Sequence, residues 1–231
     1  MVSGLIVAAG KGERLPGSRA KQYLPLAGRP MLCRTLAVFA ACALIDDLVL
    51  VVPQKDFDYC REAVLSRVTT VKRIRLAAGG DRRQDSVAAG LRQVPDERER
   101  IVVIHDGVRP FVSSAMISAC VEGLRQADGC ITAVPANDTV KTVDRRGRIT
   151  GTLDRETVWL AQTPQAFRYD VLLAAHRRAI EEQWQVTDDA ALVERAGGTV
   201  RVVTGSVRNI KVTTPEDLLL AEAIANLSPE E

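Results

Sequence analysis

Two glycines and several basic side chains follow the first apolar run of the chain, in the stretch LIVAAGKGERL at residues 5–15. Gly10 and Gly12 would let backbone N–H groups approach an anion at the end of a buried strand, where phosphate is the usual ligand. The basic residues around these glycines are Lys11, Arg14, Arg19 and Lys21. This much positive charge suits a polyphosphate better than a single phosphate. The alternative is a solvated basic loop whose glycines serve only a turn.

Two common phosphate-binding loops do not match this stretch. A dinucleotide-binding loop needs a third glycine where Leu15 stands, and an acid after the second strand, which instead ends in Val52-Pro53-Gln54. A Walker A loop needs Lys and Ser or Thr after its last glycine, but Gly17 is followed by Ser18-Arg19. The pattern therefore disfavours both an NAD(P) site and a Walker A phosphate-binding loop.

Other charged residues follow later predicted strands, and the segments after parallel strands meet at one edge of a sheet. The basic ones are Arg82, Arg83, Arg109 and Lys211. Asp106 ends an apolar run and is a candidate for binding ligand hydroxyls or a magnesium ion, or else a turn acid. In GGDRRQDS at residues 79–86, Gly80 and Asp81 could bring backbone polar groups to a nucleobase. Asp85 or Ser86 would there cap a helix or bond a base edge.

The elements that must position these residues alternate between short β-branched runs and helical patterns. Strands are predicted at residues 4–9, 46–53, 73–79, 100–106, 129–135, 199–203 and 209–213. Helices are predicted near residues 30–42, 55–66, 82–93, 113–127, 169–183 and 187–198, and from Thr214 onward, with Thr187 and Thr214 as N-caps. This order predicts an α/β fold with a mostly parallel central sheet.

Residues 136–163 interrupt that order with two alternating segments around Asp144-Arg145-Arg146-Gly147, the pattern of a β-hairpin. The alternation leaves one side apolar, with no helix nearby in sequence to cover it. We interpret the segment as an arm that packs on another subunit; a flap on its own domain is the alternative.

Composition limits the remaining classes of protein. With 231 residues, 46% of them hydrophobic and 26% charged, the chain is expected to form one domain over residues 1–231. A net charge of +2 gives no support for a nucleic-acid partner, and no apolar run approaches membrane-spanning length. The early first strand argues against a signal peptide, so we expect a soluble, cytoplasmic protein. Five cysteines without a C-x-x-C pair, and only two histidines, indicate reduced core thiols rather than a metal site. His105 is expected to be a packed strand-end residue.

Motifs along nearly the whole chain resemble one family. They are LIVAAGKGERL, KQYLPLAGRPML, GGDRRQDSV, HDGVRP, NDTVK, LAQTPQAF, TDDAALVE and NIKVTTPEDL. In this order they are similar to the 2-C-methyl-D-erythritol 4-phosphate cytidylyltransferases. The resemblance implies a Rossmann-like nucleotidyltransferase fold with a protruding β-arm, and a homodimer joined through that arm. It implies transfer of CMP from CTP, with Mg²⁺, to 2-C-methyl-D-erythritol 4-phosphate in the non-mevalonate isoprenoid pathway, giving 4-diphosphocytidyl-2-C-methyl-D-erythritol and diphosphate.

The resemblance also implies roles for single residues. Arg14 and Lys21 would bind the triphosphate and stabilise the transition state, while Lys211 and Arg155 would position the acceptor. Arg155 and Thr139 would come from the arm of the other subunit, and Asp106 and Arg109 would contact the sugar phosphate. Positions matched to cytosine, ribose and the glycine loop are Ala8, Ala9, Gly10, Gly12, Gly80, Asp81 and Ser86. Magnesium would be held mainly by the CTP phosphates, with Asp106 as a candidate ligand.

The chain departs from the family pattern at two places. Gly107-Val108 stands where members commonly have two alanines, and Ala20 where a proline usually precedes the loop lysine. Val108 and Phe111 are also similar to the related ribitol 5-phosphate cytidylyltransferases, whereas Ala8-Ala9-Gly10 and TDDAALVE favour the methylerythritol enzymes. A non-catalytic nucleotide-binding regulator on the same fold is the alternative from another class of protein.

Overall fold

The computed structural model describes residues 1–10, 20–97 and 99–227. A seven-stranded sheet runs through the middle of the molecule. In chain order the strands are β1 (Val2–Val7), β2 (Pro25–Leu26), β3 (Arg29–Pro30), β4 (Asp47–Val52), β5 (Ile74–Ala78), β6 (Ile101–Asp106), β7 (Gly129–Pro135), β8 (Lys141–Val143), β9 (Ile149–Thr152), β10 (Trp159–Arg168) and β11 (Val200–Thr204). The central sheet has the order β11-β7-β10-β6-β1-β4-β5. All its pairs are parallel except those of β10, which runs antiparallel to both β6 and β7.

The helices cover both faces of this sheet. They are α1 (Met31–Ala41), α2 (Phe57–Tyr59), α3 (Arg83–Leu91), α4 (Ser114–Gly123), α5 (Tyr169–Glu181), α6 (Asp189–Arg195) and α7 (Pro215–Leu227). The helix predicted near residues 55–66 is irregular, because α2 is only one turn long and continues as a π-helix at Cys60–Val64.

Two hydrophobic cores lie on opposite sides of the sheet. Leu36 and Phe39 of α1 pack with Ile117 of α4 on one side. On the other side, helices α3, α5 and α6 bury Val87, Leu172 and Leu192. Strands β1, β4 and β6 are therefore apolar on both faces, which explains their continuous rather than alternating hydrophobic runs. The mostly parallel α/β fold predicted from the sequence is confirmed.

A third, smaller cluster joins the last helix to the loop after β6. Val212 is fully buried against Val108 and Ala221, and its N–H donates to the carbonyl of Val108 at 2.9 Å. The segment at residues 209–213 is not a strand, so that prediction is wrong. Its alternating apolar residues serve this local packing instead of a sheet.

Other elements also differ from the predictions: β1 spans Val2–Val7 and not residues 4–9, and no strand of the central sheet is predicted where β10 runs. The N-cap of α6 is Asp188, whose carboxylate accepts from the N–H of Ala191, and not Thr187. The predicted arm extends too far, because Trp159–Thr163 belong to β10 of the central sheet. The remainder contains the hairpin β8–β9, whose turn is closed by the Asp144 carboxylate accepting from the N–H groups of Arg146 and Arg148. Thr214 caps α7 as predicted, and all five cysteines are buried free thiols.

Candidate functional site

Two adjoining cavities lie at the carboxyl edge of the sheet and share Arg83, Asp106 and Lys211. The first cavity is lined in addition by Ala8, Ala9, Gly10, Lys21, Gly80, Asp81 and Ser86. The second cavity is lined in addition by Arg109, Gln162, Thr163, Gln165, Thr187 and Asp188. Lys211 is thus brought beside the first glycine of the amino-terminal loop, although 200 residues separate them in sequence. Open α/β sheets bind their ligands at this edge.

Asp106 is the charged centre of both cavities. It is buried at the end of β6, where its carboxylate accepts from Lys211 Nζ at 2.8 Å and from Arg83 Nε at 2.9 Å. Burial alone would raise the pKa of Asp106, but the charges of Arg83 and Lys211 outweigh burial and hold that pKa well below its usual range. The carboxylate is therefore ionised and already paired with two cations.

His105 holds this strand end through its ring nitrogens. The hydroxyl of Thr163 accepts from the N–H of Asp106 at 3.0 Å and donates to His105 Nδ1 at 2.9 Å. His105 Nε2 lies 3.0 Å from the carbonyl of Arg109, which requires the proton on that nitrogen. Burial lowers the pKa of His105 to about 4, so the ring is neutral and structural, as the sequence indicated.

Asn209 anchors the segment that carries Lys211. Its side-chain amide donates to the backbone carbonyl of Thr163 at 2.8 Å, and its backbone carbonyl accepts from Arg109 Nη1 at 2.7 Å. The register of β10 shifts between Ala161 and Gln165, which directs Gln162 and Thr163 toward the second cavity. Arg109 Nε lies 3.8 Å from Asp106, so a further cation borders the same carboxylate.

The glycine loop after β5 is shaped by close packing. A Cβ on Gly79 would lie 2.1 Å from the Cβ of Ala9, so glycine is required for the two loops to meet. Ser86 accepts from the N–H of Gly80 at 3.1 Å and thereby holds that loop. The Asp85 carboxylate accepts from the N–H and the guanidinium of Arg82 and thereby caps α3. Of the two roles predicted for this position, a helix cap or a bond to a base edge, Asp85 therefore has the first.

The remaining predicted site residues are distributed as follows. Lys21 lines the first cavity, and its Cε lies 3.9 Å from where a Cβ on Gly10 would be. Thr139 and Arg155 are exposed near the hairpin and line neither cavity of their own chain; Arg155 donates to the carbonyl of Asn137 at 3.3 Å. Arg14 and Gly12 lie outside the described residues.

Sequence reasoning left several lining residues out of the site. Arg83 is predicted only as one of several basic residues after a strand, and Thr163 only as the last residue of the arm. Four further residues that line the second cavity are not predicted as site residues: Gln162, Gln165, Thr187 and Asp188. The signal for them lay in LAQTPQ and TDD, polar runs at points where the chain returns to the sheet edge.

The arrangement offers little for a metal ion held by protein alone. Within residues 1–10, 20–97 and 99–227, no group of three or more His, Cys, Asp or Glu side chains is placed to hold one. The carboxylates lining the first cavity are Asp81 and Asp106, and Asp106 is already paired with two cations.

An α/β sheet edge that gathers a glycine loop, an ionised aspartate and several cations around adjoining cavities defines a nucleotide-binding transferase of the Rossmann-like type. The family model described as IspD, 2-C-methyl-D-erythritol 4-phosphate cytidylyltransferase, matches residues 2–226. The chain belongs to this family.

Individual relatives agree over nearly their full length. The 2-C-methyl-D-erythritol 4-phosphate cytidylyltransferases of Geotalea uraniireducens and Geobacter metallireducens are 49% and 50% identical, over 96% of this chain and 95% and 96% of theirs. The solved structure of 4-diphosphocytidyl-2C-methyl-D-erythritol synthase from Anaerococcus prevotii is similar with a TM-score of 0.87 and 33% identity, covering 97% of this chain and 96% of that one. The Francisella tularensis cytidylyltransferase structure has a TM-score of 0.81 and 31% identity, over 96% and 99% of the two chains.

In the part of the chain that the structure describes, none of the helices has the length and apolar character needed to span a bilayer.

Proposed function

We propose that this protein transfers the cytidylyl group of CTP to the phosphate of 2-C-methyl-D-erythritol 4-phosphate, releasing diphosphate and forming 4-diphosphocytidyl-2-C-methyl-D-erythritol. Membership of the family supports this reaction. The observation that carries it in the structure is the convergence of Lys211, Arg83 and Arg109 on Asp106, at the boundary of two cavities.

The two cavities suit the two substrates. In the first, the glycine loops bring backbone polar groups close to a ligand, which suits the cytosine, ribose and phosphates of CTP. In the second, the hydroxyl of Thr187 and the side-chain amide of Gln165, whose Oε1 has no hydrogen-bond partner among the described residues, suit a polyhydroxylated acceptor. A phosphate of the acceptor would then meet the α-phosphorus of CTP beside Lys211.

The chemistry at that point is in-line attack of an acceptor phosphate oxygen on the α-phosphorus, with diphosphate as the leaving group. Two polyanions must approach, so fixed cations stabilise the transition state more than any proton transfer does. A phosphate monoester has a second pKa near 6 and is largely ionised at neutral pH, so no side chain need act as a general base. The neutral, buried His105 is consistent with such a site. Lys21 and Arg14 would neutralise the remaining phosphate charge.

Magnesium would enter on the phosphates of CTP, where it reduces their charge and orients them. Asp106 is already paired with Arg83 and Lys211, whose charges reduce its attraction for such an ion. We therefore assign the ion to the substrate, with Asp81 and Asp106 bordering it.

We also propose that the protein is a homodimer whose hairpin contributes Arg155 and Thr139 to the partner's site. Large apolar side chains are exposed on and next to the hairpin, namely Val143, Ile149, Leu153, Trp159 and Leu160. An apolar surface of this kind on a short two-stranded hairpin is typical of a subunit interface.

A cytoplasmic location stays a prediction from the sequence.

A side-by-side assay of diphosphate release, with CTP and either 2-C-methyl-D-erythritol 4-phosphate or ribitol 5-phosphate, tests the reaction and the acceptor together. We expect turnover with the methylerythritol compound and little with the ribitol compound. The reverse preference would assign the chain to the ribitol enzymes. CTP binding without turnover of either acceptor would favour a regulator. Of the two residues similar to the ribitol enzymes, Phe111 packs against the cluster around α7 and lines neither cavity, whereas Val108 lines the first cavity.

A further inference from the structure

A line of ion pairs continues from Asp106 through Arg83 to the buried Asp189. Arg83 bridges two carboxylates, donating from Nε to Asp106 at 2.9 Å and from Nη1 to Asp189 at 2.6 Å. Asp189 is 1% exposed and accepts a second bond from His176 Nε2 at 3.1 Å. Burial would lower the pKa of Arg83, but Asp189 and Asp106 outweigh burial and raise it.

Asp189 also lies next to the wall of the second cavity. It is the first residue of α6 and directly follows Thr187 and Asp188, which line that cavity. Asp188 caps α6 and accepts from the side-chain amide of Gln165 at 2.9 Å. The Asp189–Arg83 ion pair therefore ties this wall to the carboxylate that holds Lys211.

The bridge divides the oxygens of Asp106 between two cations. Because Asp189 holds one end of the guanidinium, Arg83 reaches only Oδ1 of Asp106, and Oδ2 is left to Lys211. Without the Asp189 charge, the guanidinium can turn its fork onto both oxygens of Asp106, which is the preferred bidentate geometry. Lys211 would then lose its partner and its fixed position at the boundary of the two cavities.

We propose that Asp189 is a positioning residue for the acceptor: through Arg83 it orients Asp106 and Lys211, and it does not itself touch substrate. This inference rests on the proposed function. The backbone groups of Gly10 and Gly80 that border the CTP cavity take no part in the ion-pair line. Because Arg83, Asp106 and Lys211 line both cavities, loss of Asp189 should weaken CTP binding as well, but less than it weakens use of the acceptor.

Asp189→Asn tests this assignment, because it keeps the size of the side chain and removes its charge. We expect kcat/KM for the acceptor to fall about 10- to 100-fold, the range found when a partner that orients a ligating group is removed. The dissociation constant of CTP, measured by calorimetry without acceptor, should rise by clearly less than that. Arg83→Lys should likewise lower kcat/KM for the acceptor, since a lysine cannot bridge both carboxylates. Arg83 itself lines both cavities, so CTP binding is compared in Asp189→Asn alone.

The matched control is Asp47→Asn. Asp47 lies in another buried ion pair, 3.3 Å from the guanidinium of Arg100, at the opposite end of the strands. This variant should lower the melting temperature without changing the kinetics of the acceptor. It separates a loss of stability from a loss of positioning.

A double-mutant cycle completes the test, because residues that act through one another give non-additive effects. The double variant Arg83→Lys/Asp189→Asn should be no slower than Arg83→Lys alone. Three results would each overturn the inference: acceptor kinetics in Asp189→Asn like those of Asp47→Asn, equal losses for CTP and acceptor, or losses that multiply in the double variant. If Asp189→Asn does not fold at the assay temperature, Arg83→Lys alone decides by comparison of its acceptor kinetics with those of Asp47→Asn. Absence of turnover in the wild-type protein would instead contradict the proposed function.

Discussion

Lys211→Met should separate the catalytic contribution of this ammonium from its contribution to stability. The Nζ atom lies 2.8 Å from Asp106, but the side chain is 39% exposed and Asp106 keeps Arg83 at 2.9 Å. Such a half-exposed pair contributes only about 0–1 kcal/mol to the free energy of unfolding. For a chain of this size, that corresponds to a fall in melting temperature of at most about 2–4 °C.

The expected kinetic effect is much larger. Removing one donor directed at transition-state charge costs about 2.7–4 kcal/mol, which lowers kcat about a hundredfold to a thousandfold. Steady-state diphosphate release at saturating CTP and acceptor gives kcat, and thermal unfolding of the same samples gives the stability. The methionine keeps most of the aliphatic stem, so packing changes little.

Lys72→Met is the matched control for this experiment. Lys72 donates to the backbone carbonyls of Phe39 and Cys42 at the carboxyl end of α1, and it lines neither cavity at the sheet edge. Its loss should leave kcat unchanged. The reasoning is refuted if Lys211→Met keeps kcat within about tenfold of the wild type, because so small a change falls well short of the loss of a transition-state donor.

Four further predictions follow from the same geometry. Lys21→Ala should lower kcat far more than it weakens CTP binding, which kinetics and calorimetry of that variant would check; wild-type turnover would reject its role. Arg155→Ala should mainly raise KM for the acceptor, so it should be nearly inactive at an acceptor concentration far below that KM. Mixing it with Lys211→Met under this condition should restore about a quarter of wild-type activity, because half of the dimers then carry one intact site; no recovery would mean that Arg155 acts in its own chain. Since the pKa of His105 is lowered to about 4, the folded state binds fewer protons than the unfolded state below pH 6.5. The free energy of unfolding should then fall by about 2 kcal/mol between pH 7 and pH 5, and by clearly less in His105→Gln, as urea titrations at the two pH values would measure. Chelation of Mg²⁺ should abolish turnover and leave the melting temperature of the CTP-free protein unchanged, whereas a large fall would indicate a resident metal.

Much of the fold was predictable because its strands are buried on both faces. Continuous apolar runs such as the one in β4, bounded by turn residues, locate parallel strands without any knowledge of their neighbours. The start of α7 was equally clear, since Thr214, Pro215 and the acids of the first turn all favour a helix start.

The failures came where tertiary packing overrides a local pattern. The segment at residues 209–213 alternates in polarity like a strand. In the structure, however, Val212 is buried against α7, and the side chain of Asn209 donates to the carbonyl of Thr163, where the register of β10 shifts. Nothing local distinguishes Asp188 from Thr187 as the cap of α6, because both side chains can accept the bond. The antiparallel insertion of β10 between β6 and β7 depends on pairing between distant segments, which periodicity does not report.

The candidate site was predictable as a set of strand-end residues, because topology alone gathers such residues at one edge. Topology thus places Asp106, Arg109 and Lys211 at the edge where the structure has them. It could not show that Arg83 bridges Asp106 and Asp189, since 106 residues separate Arg83 from Asp189 in sequence and only the packing of α3 on α5 and α6 brings them together.

A structure of the protein with CTP, Mg²⁺ and the acceptor would test the central claim most directly. A larger third cavity, lined by Pro53, Gln54 and Tyr59, adjoins the glycine loops but lacks Lys211 and Asp106. We predict that CTP occupies the first cavity and the acceptor the second, with the α-phosphorus at their boundary beside Lys211. CTP bound in the third cavity, with its phosphates directed away from Lys211 and Asp106, would contradict the account.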